Sequence, residues 1–586
     1  MMWTRPILSL LWAATEIFLA LADVEPYYAS EDYEQGSFGE WPQQSYKSSS
    51  VIGPVLNYHR SEKCNGDGKY IMITPRGNSV PTWGPMILDG HGNLVWTKRY
   101  GPTFGLNVQK YRGENYLTFW VGDDQAGHGS GNYYMLDSAY QEAYKISAGN
   151  GRAADLHDFI ITSEGTAVLT LYDVLPNIDL SSVGGPERGY LLDCGFQEID
   201  IETGQVIFEW WASTYFSYDE AYRGVEGQGQ EEKTAWDFFH INSVDKDSVG
   251  NYLISSRYMH CLAYINGKSG DIIWKLGGKH NMFLDMVGGA TNISWQHDAH
   301  FHNNGKSITL FDNASRGIDG FSPAPDDPPS RGLYLDLETE NLTAKVRHTY
   351  WNPRGITSIS QGSLQILDGD DRVIVGYGIT PAWTEYTIDG EVLCDVHFGT
   401  ELGVPTRNAI SYRTSKYAWV GRPETTPDMA IDGNQVYVSW NGATEVATWI
   451  IEGTRSTSEN CRGVCRENYH ILSSRPKTGF ETVIEIPDHS SYRFLRARGL
   501  DRTGYLLGFT ETIELGNTTE SRQIASYLRN PTDWLLFSIA PAIVSITLLA
   551  VTATFIIRKK TSQNGRPWEN EEIEIIGLLK AERSLE

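Results

Sequence analysis

Three histidines and a glutamine recur along the chain just before predicted strands. They are His157, His240, His297 and Gln361, separated by 83, 57 and 64 residues. A neutral imidazole can act as a nucleophile or as a general base near physiological pH. A single histidine in a strand is more often a hydrogen-bonded spacer, but recurrence at a regular interval favours several imidazoles that face one cavity.

A second repeat supplies the elements that would position these residues. An apolar strand, a turn with Asp or Gly, and a second apolar strand that often ends in Trp occur six times, which is typical of β-hairpins. The six copies are 85–96, 134–140, 196–210, 262–274, 333–343 and 384–393. The turns of successive copies lie 48 to 71 residues apart.

This periodicity predicts an all-β, six-bladed β-propeller with a substantial loop in each blade. The segments 435–451 and 480–486 would either complete the ring or add a seventh blade. Tandem β-sandwich domains are the alternative, but they would not require the recurring strand that ends in Trp. Because the innermost strand of each blade lines the central channel, the histidines are expected to converge there.

The ends of the chain predict a membrane-anchored secretory protein. Residues 1–22 have the pattern of a signal peptide, and 23–50 are an acidic linker or loosely attached arm. The propeller is then expected over 51–533. Residues 534–557 carry no charge and are long enough for a membrane helix, and the basic cluster that follows places the tail, 558–586, in the cytosol. We therefore expect a single-pass type I protein with a lumenal or extracellular propeller, in a membrane and an oligomeric state that the sequence leaves open.

The cysteines and glycosylation sequons fit the same compartment. Six cysteines suit an oxidising environment, and Cys461 and Cys465 are expected to form a local disulfide, whereas the pairing of the other four stays open. Four Asn-x-Ser/Thr sequons predict glycosylation, although the second overlaps a motif that could bury it. These sequons begin at Asn292, Asn313, Asn341 and Asn517.

The net charge narrows the class of partner. With 48 basic and 73 acidic residues the formal charge is −25, so nucleic acid is not an expected partner. The predicted cytosolic tail contributes almost nothing to this surplus. An anionic substrate would therefore depend on a local cationic patch, for which Arg316 is the first candidate. Residue types alone would allow a divalent metal at His240, His297 and His300, but the neighbouring Arg316 favours an anion, and no metal or cofactor is expected.

Several sequence strings together resemble the arylsulfotransferase family, in its fungal, membrane-attached branch. The matching strings run over 236–244, 252–257, 295–299 and 310–317, and Gly376-Tyr-Gly378 continues them. The resemblance extends over roughly residues 50–515 and rests on the order of these strings.

The resemblance implies a six-bladed propeller that moves a sulfuryl group between phenols through a channel histidine, without a nucleotide donor. By motif, His240 and His297 correspond to channel histidines and Arg316 to the arginine that holds the sulfuryl oxygens. The expected partner is thus a phenolic or other aromatic small molecule. The residues assigned to substrate binding are His157, Asn242, Arg257, His300 and Trp383; Trp236 and Trp295 could also stack on an aryl ring or simply pack between blades.

One departure leaves the function open. In the bacterial enzymes the nucleophilic histidine follows a Gly-aromatic-Gly string, but Gly376-Tyr-Gly378 is followed by Ile379, and the next histidine, His397, is expected to point outward. Either His240, His297 or His300 is the nucleophile, or the protein is a membrane-tethered binding propeller that has lost transfer activity. A quinone-dependent dehydrogenase propeller is a weaker third alternative, because no calcium-ligand string and no tryptophan docking repeat is evident.

Overall fold

The computed structural model describes residues 23–515, except 65–66, 126, 318–324, 368, 370, 457–467 and 487–490. The predicted signal peptide, membrane helix and tail therefore lie outside the described residues, as do Cys461, Cys465 and Asn517. No helix within the described part of the chain is long and apolar enough to cross a membrane.

The regular secondary structure of the described chain is almost entirely β-strand, with one short helix, α1 (Glu31–Glu34), and five 3-10 turns. The 3-10 turns are Ser181–Val183, Ala212–Thr214, Tyr218–Glu220, Glu232–Thr234 and Glu401–Gly403. The strands are β1 Tyr27–Tyr28, β2 Gln43–Ser45, β3 Ile52–Pro54, β4 Asn57–Arg60, β5 Tyr70–Ile73, β6 Met86–Leu88, β7 Leu94–Thr97, β8 Thr103–Tyr111, β9 Glu114–Asp124, β10 Gly129–Leu136, β11 Glu142–Ile146, β12 Phe159–Ile161, β13 Thr166–Ile178, β14 Gly189–Asp200, β15 Val206–Trp211, β16 Trp236–Asp237, β17 Ile241–Lys246, β18 Tyr252–Ser256, β19 Cys261–Ile265, β20 Ile272–Gly277, β21 Leu284–Val287, β22 His297–His302, β23 Ser307–Asp312, β24 Arg331–Glu338, β25 Thr343–Trp351, β26 Ser363–Ile366, β27 Arg372–Gly376, β28 Ala382–Thr387, β29 Val392–His397, β30 Ser415–Tyr417, β31 Asp428–Asp432, β32 Gln435–Ser439, β33 Thr448–Thr454, β34 His470–Pro476, β35 Glu481–Glu485, β36 Phe494–Leu500, β37 Leu506–Phe509 and β38 Ile513–Glu514.

Six of the sheets share one plan and form a closed ring. Each contains an antiparallel run of four strands: β8–β11, β12–β15, β17–β20, β22–β25, β26–β29, and β30 with β5–β7. The first strands contact one another in the cycle β8, β12, β17, β22, β26, β30 and back to β8. This arrangement is propeller-like, with the first strands at the centre.

The predicted hairpins are confirmed as the two outermost strands of these runs. Trp96 lies opposite Ile87, Trp210 opposite Phe196, and Trp274 next to the bulge opposite Tyr264. Local turn chemistry explains why they form: the Asp89 carboxylate accepts hydrogen bonds from the backbone N–H groups of His91 and Asn93, both at 2.9 Å. The three tryptophans are buried and stack on neighbouring aromatic rings.

Two distant parts of the chain close the ring. Strand β30 pairs with β5, so that Ser415 lies opposite Met72. A disulfide between Cys64 and Cys394, which are 330 residues apart, ties the same region together. Cys194 and Cys261 are buried free thiols.

The prediction of a linker over 23–50 was wrong. This segment, here called the arm, carries α1, adds β1 in parallel to β4, and pairs β2 with β3. Its aromatic residues Tyr33 and Trp41 are only 0% and 3% exposed. Burial of these rings explains why an acidic sequence without periodicity is held against the sheets.

The predicted propeller range also needs correction at its C-terminal side. The described strands between residues 428 and 514 form two sheets of their own, one of β31, β32 and β35 and one of β34, β33, β36 and β37, with β38 beside β36. The segments offered as a seventh blade, 435–451 and 480–486, supply strands to these two sheets.

Candidate active site

A cavity of about 720 Å³ lies where the first strands of the six sheets begin. Each sheet contributes a lining residue that is within three residues of the start of its first strand. These six are Phe104, His157, His240, His297, Gln361 and Tyr412. The convergence that the spacing of His157, His240, His297 and Gln361 predicts is therefore found.

His240 is oriented by a buried carboxylate. Its Nδ1 lies 2.5 Å from an oxygen of Asp237, and no residue in the described part of the chain hydrogen-bonds its Nε2. Asp237 is fixed because β16 pairs in parallel with β14. The His240 backbone has φ +55°, a left-handed conformation that is uncommon outside glycine and is often found at functional sites.

Burial sets the protonation of this pair. It lowers the pKa of His240 well below its ordinary value, and the charges of His157 and Arg257 lower it further. Burial also raises the pKa of Asp237 to about 6. At neutral pH the imidazole is therefore neutral, with its proton on Nδ1 toward Asp237 and a lone pair on Nε2.

His157 has the same arrangement. Its Nδ1 lies 2.6 Å from an oxygen of Asp155, and its ring centroid is 4.9 Å from that of His240. Burial alone would raise the pKa of Asp155, but His157 and the N–H of Gly129 lower it below its ordinary value. His157 thus presents a second oriented imidazole to the cavity.

His297 has both ring nitrogens engaged. Nδ1 donates to the Asn313 side-chain oxygen at 2.7 Å, and Nε2 accepts from the backbone N–H of Gln361 at 3.3 Å. The Asn313 amide is itself fixed, because its nitrogen donates to the carbonyls of Ser358 and Gln361. A glycan at Asn313 is incompatible with these bonds and with its complete burial, so that predicted site is corrected; Asn292 and Asn341 are exposed.

His300 lies outside the cavity, contrary to its predicted substrate-binding role. It is hydrogen-bonded to Asp298, and a second carboxylate, Asp245, lies 3.7 Å away. Burial would lower its pKa, but the two carboxylates raise it well above its ordinary value. A cationic imidazole has no free lone pair, so His300 cannot be the nucleophile.

Arg413, which pairs with Asp158 and Asp298, belongs to the same buried network as His300. Because His300 lies in this network while His240 and His297 line the cavity, the three histidines do not form a metal site.

Arg257 and Arg316 are in the cavity as predicted. Arg257 donates to the carbonyl of Ile359 at 2.9 Å, and both guanidinium groups lie over the Trp295 ring, at 5.3 and 5.5 Å. Arg316 is 44% exposed and pairs with Glu226 at 3.2 Å. It therefore lies at the rim of the cavity rather than at its buried end.

Three further arginines line the cavity and were not predicted: Arg76, Arg223 and Arg407. Five guanidinium groups thus face two lining carboxylates, Asp124 and Glu226. The cavity is cationic although the whole protein carries a charge of −25. Such a site attracts anions into a region of low dielectric, where the interaction is strong.

Two predicted substrate-binding residues are structural instead. The Asn242 side chain is fully buried and donates to the carbonyl of Gln296 at 2.6 Å. Trp383 is 2% exposed and stacks on Phe398 in the core. Trp236 is likewise buried between strands.

The sequence comparisons agree with this geometry. Residues 107–399, half of the chain, match the family described as arylsulfotransferase (ASST). The chain belongs to the arylsulfotransferase family. The match spans His157, His240, His297 and Arg316, but not Arg76 or Arg407. No curated protein matches the chain.

Several solved structures are similar at low identity. A protein of unknown function from Bacteroides caccae is 12% identical, with a TM-score of 0.35, over 60% of this chain and 99% of that one. The periplasmic gluconolactonase of Pseudomonas aeruginosa is 11% identical, with a TM-score of 0.32, over 72% and 99%. The β-propeller domain of Cps50 from Myceliophteria thermophila is 9% identical, with a TM-score of 0.30, over 55% and 88%.

Proposed function

We propose that this protein is a six-bladed propeller enzyme that transfers a sulfuryl group from an aryl sulfate to a phenol, with His240 as the nucleophile. The observation that carries the proposal is the neutral His240 imidazole, held by Asp237 on Nδ1, in a cavity lined by five arginines. Of the three nucleophile candidates, His300 is cationic and His297 has both nitrogens engaged.

In the first step, Nε2 of His240 attacks the sulfur of the aryl sulfate. The nitrogen–sulfur bond forms as the bond from sulfur to the aryl oxygen breaks, and the phenolate leaves and takes up a proton. Asp237 stabilises the positive charge that develops on the imidazole ring, as a carboxylate does for other reacting histidines.

In the second step, the oxygen of an acceptor phenol attacks the sulfur and the electron pair returns to Nε2. His157 gives a proton to the leaving phenolate in the first step, and the acceptor phenol returns a proton to His157 in the second, so the two steps balance. His157 lies beside His240 and has its own carboxylate, Asp155, and we assign it the transfer of this proton.

The arginines supply the electrostatic part of catalysis. A sulfuryl group in transfer carries negative charge on its oxygens, which a guanidinium fork can bind. Arg257 and Arg223 act on the pKa of His240, and both lower it. Both line the same cavity as His240, and we assign to them the binding of the sulfuryl oxygens.

A second candidate function is binding of sulfated aromatic ligands without turnover. It is favoured because no histidine stands at the position where the family's nucleophile is expected. There, after Gly376-Tyr377-Gly378, Ile379 is buried in an apolar cluster with Ile359 and Ile410.

The two functions are separated by one assay on the purified chain. The purified protein is incubated with an aryl sulfate and a phenol, and both the released and the sulfated phenol are quantified. Transfer that is lost in His240→Ala supports the enzyme. Saturable aryl sulfate binding with no release of phenol, in wild type and variant alike, would support the binding function instead.

A further inference from the structure

The arginines of the cavity have two different sets of neighbours. Arg223 and Arg257 lie near Tyr258 and His240, where Arg223 donates to the Tyr258 hydroxyl at 2.7 Å. Arg76, by contrast, lies near Phe104 and Gln361, and its charge interacts with Arg407, Asp124 and Tyr412. The proposed sulfuryl transfer uses only the first set.

The backbone holds Arg76 and Arg407 on adjoining segments. Arg76 and Ile410 exchange backbone hydrogen bonds of 3.0 and 2.9 Å, and Ser79 N–H donates to the Asn408 carbonyl at 2.9 Å. Between them, Gly77 has φ +117°, and a Cβ at that position would come within 2.4 Å of the Asn408 backbone. Only glycine allows this close approach, so the two arginine-bearing segments are held in a fixed relation.

The Arg76 side chain is buried with a donor unused. It is 5% exposed, it lies 4.0 Å above the Phe104 ring, and its Nη2 donates to the Gln361 side chain at 3.2 Å. Its Nη1 has no hydrogen-bond partner among the described residues. Burial lowers its pKa to about 10, which still leaves it charged at neutral pH. A buried cation with an unused donor is costly unless an anion meets it.

The hydroxyl of Tyr412 is a second buried polar group near Arg76 and Phe104 in the cavity. The ring of this residue lies 5.8 Å from Phe104 and 5.7 Å from His157, and its buried hydroxyl has no partner among the described residues. Two aromatic rings and one imidazole thus connect Arg76 with the reacting histidines. An aryl ring that lies along them could place a group at Arg76 while its oxygen reaches His240.

We propose that Arg76 and Arg407 form a second anion subsite that binds a carboxylate carried by the aromatic substrate. The inference rests on the proposed function and narrows its acceptors to hydroxyaryl carboxylic acids. Among the described residues that line this side of the cavity, Arg76 and Arg407 against Asp124 leave one net positive charge, which suits a single carboxylate. The guanidinium fork matches the planar oxygens of a carboxylate.

The test compares two acceptors of the same shape, 4-hydroxyphenylacetate and 4-hydroxyphenylacetamide. Wild-type kcat/KM is expected to favour the acid by about 10- to 100-fold, the range of a charge-assisted hydrogen bond. In Arg76→Gln this ratio falls to near one. Arg316→Gln changes the rim of the cavity instead. In this variant kcat/KM is expected to fall equally for both acceptors, so that the ratio of acid to amide is unchanged. A wild-type ratio near one, or a ratio that Arg76→Gln leaves unchanged, would overturn the proposal.

Binding without turnover separates this inference from the proposed function. Phenylacetate is titrated calorimetrically into wild type, Arg76→Gln and Arg407→Gln, with thermal melting as the folding control. Arg407 is more accessible than Arg76, so its variant tests the subsite if Arg76→Gln does not fold. Loss of phenylacetate binding in the variants supports the subsite even in a protein that transfers no sulfate. Equal binding by wild type and folded variants contradicts it.

Discussion

Two clusters in this protein each combine histidines with buried carboxylates. They differ in the groups that contact the imidazole nitrogens. In the cavity, His157 and His240 each contact one aspartate through Nδ1, and no described residue occupies Nε2. In the second cluster, here called the arm clamp, Glu34 of the arm lies between His59 and His397, at 2.8 and 2.9 Å.

In the arm clamp, both ring nitrogens of His397 are already occupied by protein partners. His397 is 1% exposed, its Nδ1 contacts Glu34, and its Nε2 is contacted by Arg354. His397 lies on β29, the outermost strand of its run, and not in the cavity, but the arm covers it, so that it is buried rather than exposed. Within the described residues, this trio has the spacing of a metal site, with ligand atoms within 4.8 Å of one another. The direct hydrogen bonds and the adjacent Arg354 favour a clamp that fastens the arm to β4 and β29.

In this protein the hydrogen-bond partners of a histidine, and not the residue type, decide its role. An imidazole oriented by a carboxylate on one nitrogen, with the other nitrogen toward a cationic cavity, is arranged to react. An imidazole bonded on both sides contributes to stability. The following predictions test this division.

The largest effect is expected for His240→Ala. Removal of the nucleophile should lower sulfuryl transfer by about 1,000-fold or more. His397→Ala, the matched change in the arm clamp, should keep kcat within a few-fold when assayed below its melting temperature. An equal loss of transfer activity in both variants would show that the two clusters do not differ in function.

Asp237→Asn should lower transfer by about 100-fold, because the carboxylate no longer holds the proton on Nδ1. The pKa of Asp237 is about 6, so wild-type activity should fall as the pH drops through that value and the carboxylate is protonated. The pH–rate profile of Asp237→Asn should lack this acidic limb. A limb that persists unchanged in the variant would assign it to another group.

His397→Ala should lower the free energy of unfolding by about 2 kcal/mol, because Glu34 and Arg354 each lose one of their buried hydrogen-bond partners. The exposed His470→Ala is the control and should change stability little. Chemical denaturation measures both variants. A loss as small as that of the control would show that the arm clamp does not hold the arm.

The arm clamp should also weaken in acid. Burial lowers the pKa of His397 below 6.5, so the folded state binds fewer protons than the unfolded chain, and stability falls as the pH drops below 6.5. Burial would raise the pKa of Glu34, but its hydrogen bonds hold it below 4.5, so a further loss follows below that pH. The loss between pH 7 and 5 should be smaller in His397→Ala than in wild type.

The smallest effect is expected for Arg316→Ala. Because Arg316 is 44% exposed and already paired with Glu226, its removal should raise KM for the aryl sulfate by about 10-fold, with little change in kcat. Glu226→Gln should shift KM slightly in the opposite direction. A loss in kcat as large as that of His240→Ala would move Arg316 from the rim to the reacting sulfur.

The sequence was sufficient to predict the repeated part of this site. Six hairpins at a regular interval predict the sheets, and His157, His240 and His297 occupy equivalent places in successive sheets, so periodicity alone places them in one cavity. Their aspartates, Asp155 and Asp237, precede them by two and three residues, and this local pairing is the signal that the sequence reading missed.

The remaining residues carry no periodic signal. Arg76 and Arg407 come together only because β30 closes the ring with β5, and the Cys64–Cys394 disulfide depends on the same closure. Trp383 was assigned by residue type and Asn242 by its place in the string 236–244. The burial of both depends on which face of a strand meets the next sheet. The arm was predicted to be a linker because its sequence is acidic and has no apolar periodicity. The few aromatic residues that pack against the sheets give no pattern that would indicate their burial.

The central claim is that His240 accepts the sulfuryl group. The most direct measurement is mass spectrometry of the wild-type protein, digested at alkaline pH after brief exposure to an aryl sulfate without an acceptor. We expect one sulfuryl group on the peptide that contains His240, its loss when a phenol is added, and its absence in His240→Ala. An adduct on the peptide that contains His157 or His297, or turnover without any adduct, would contradict it.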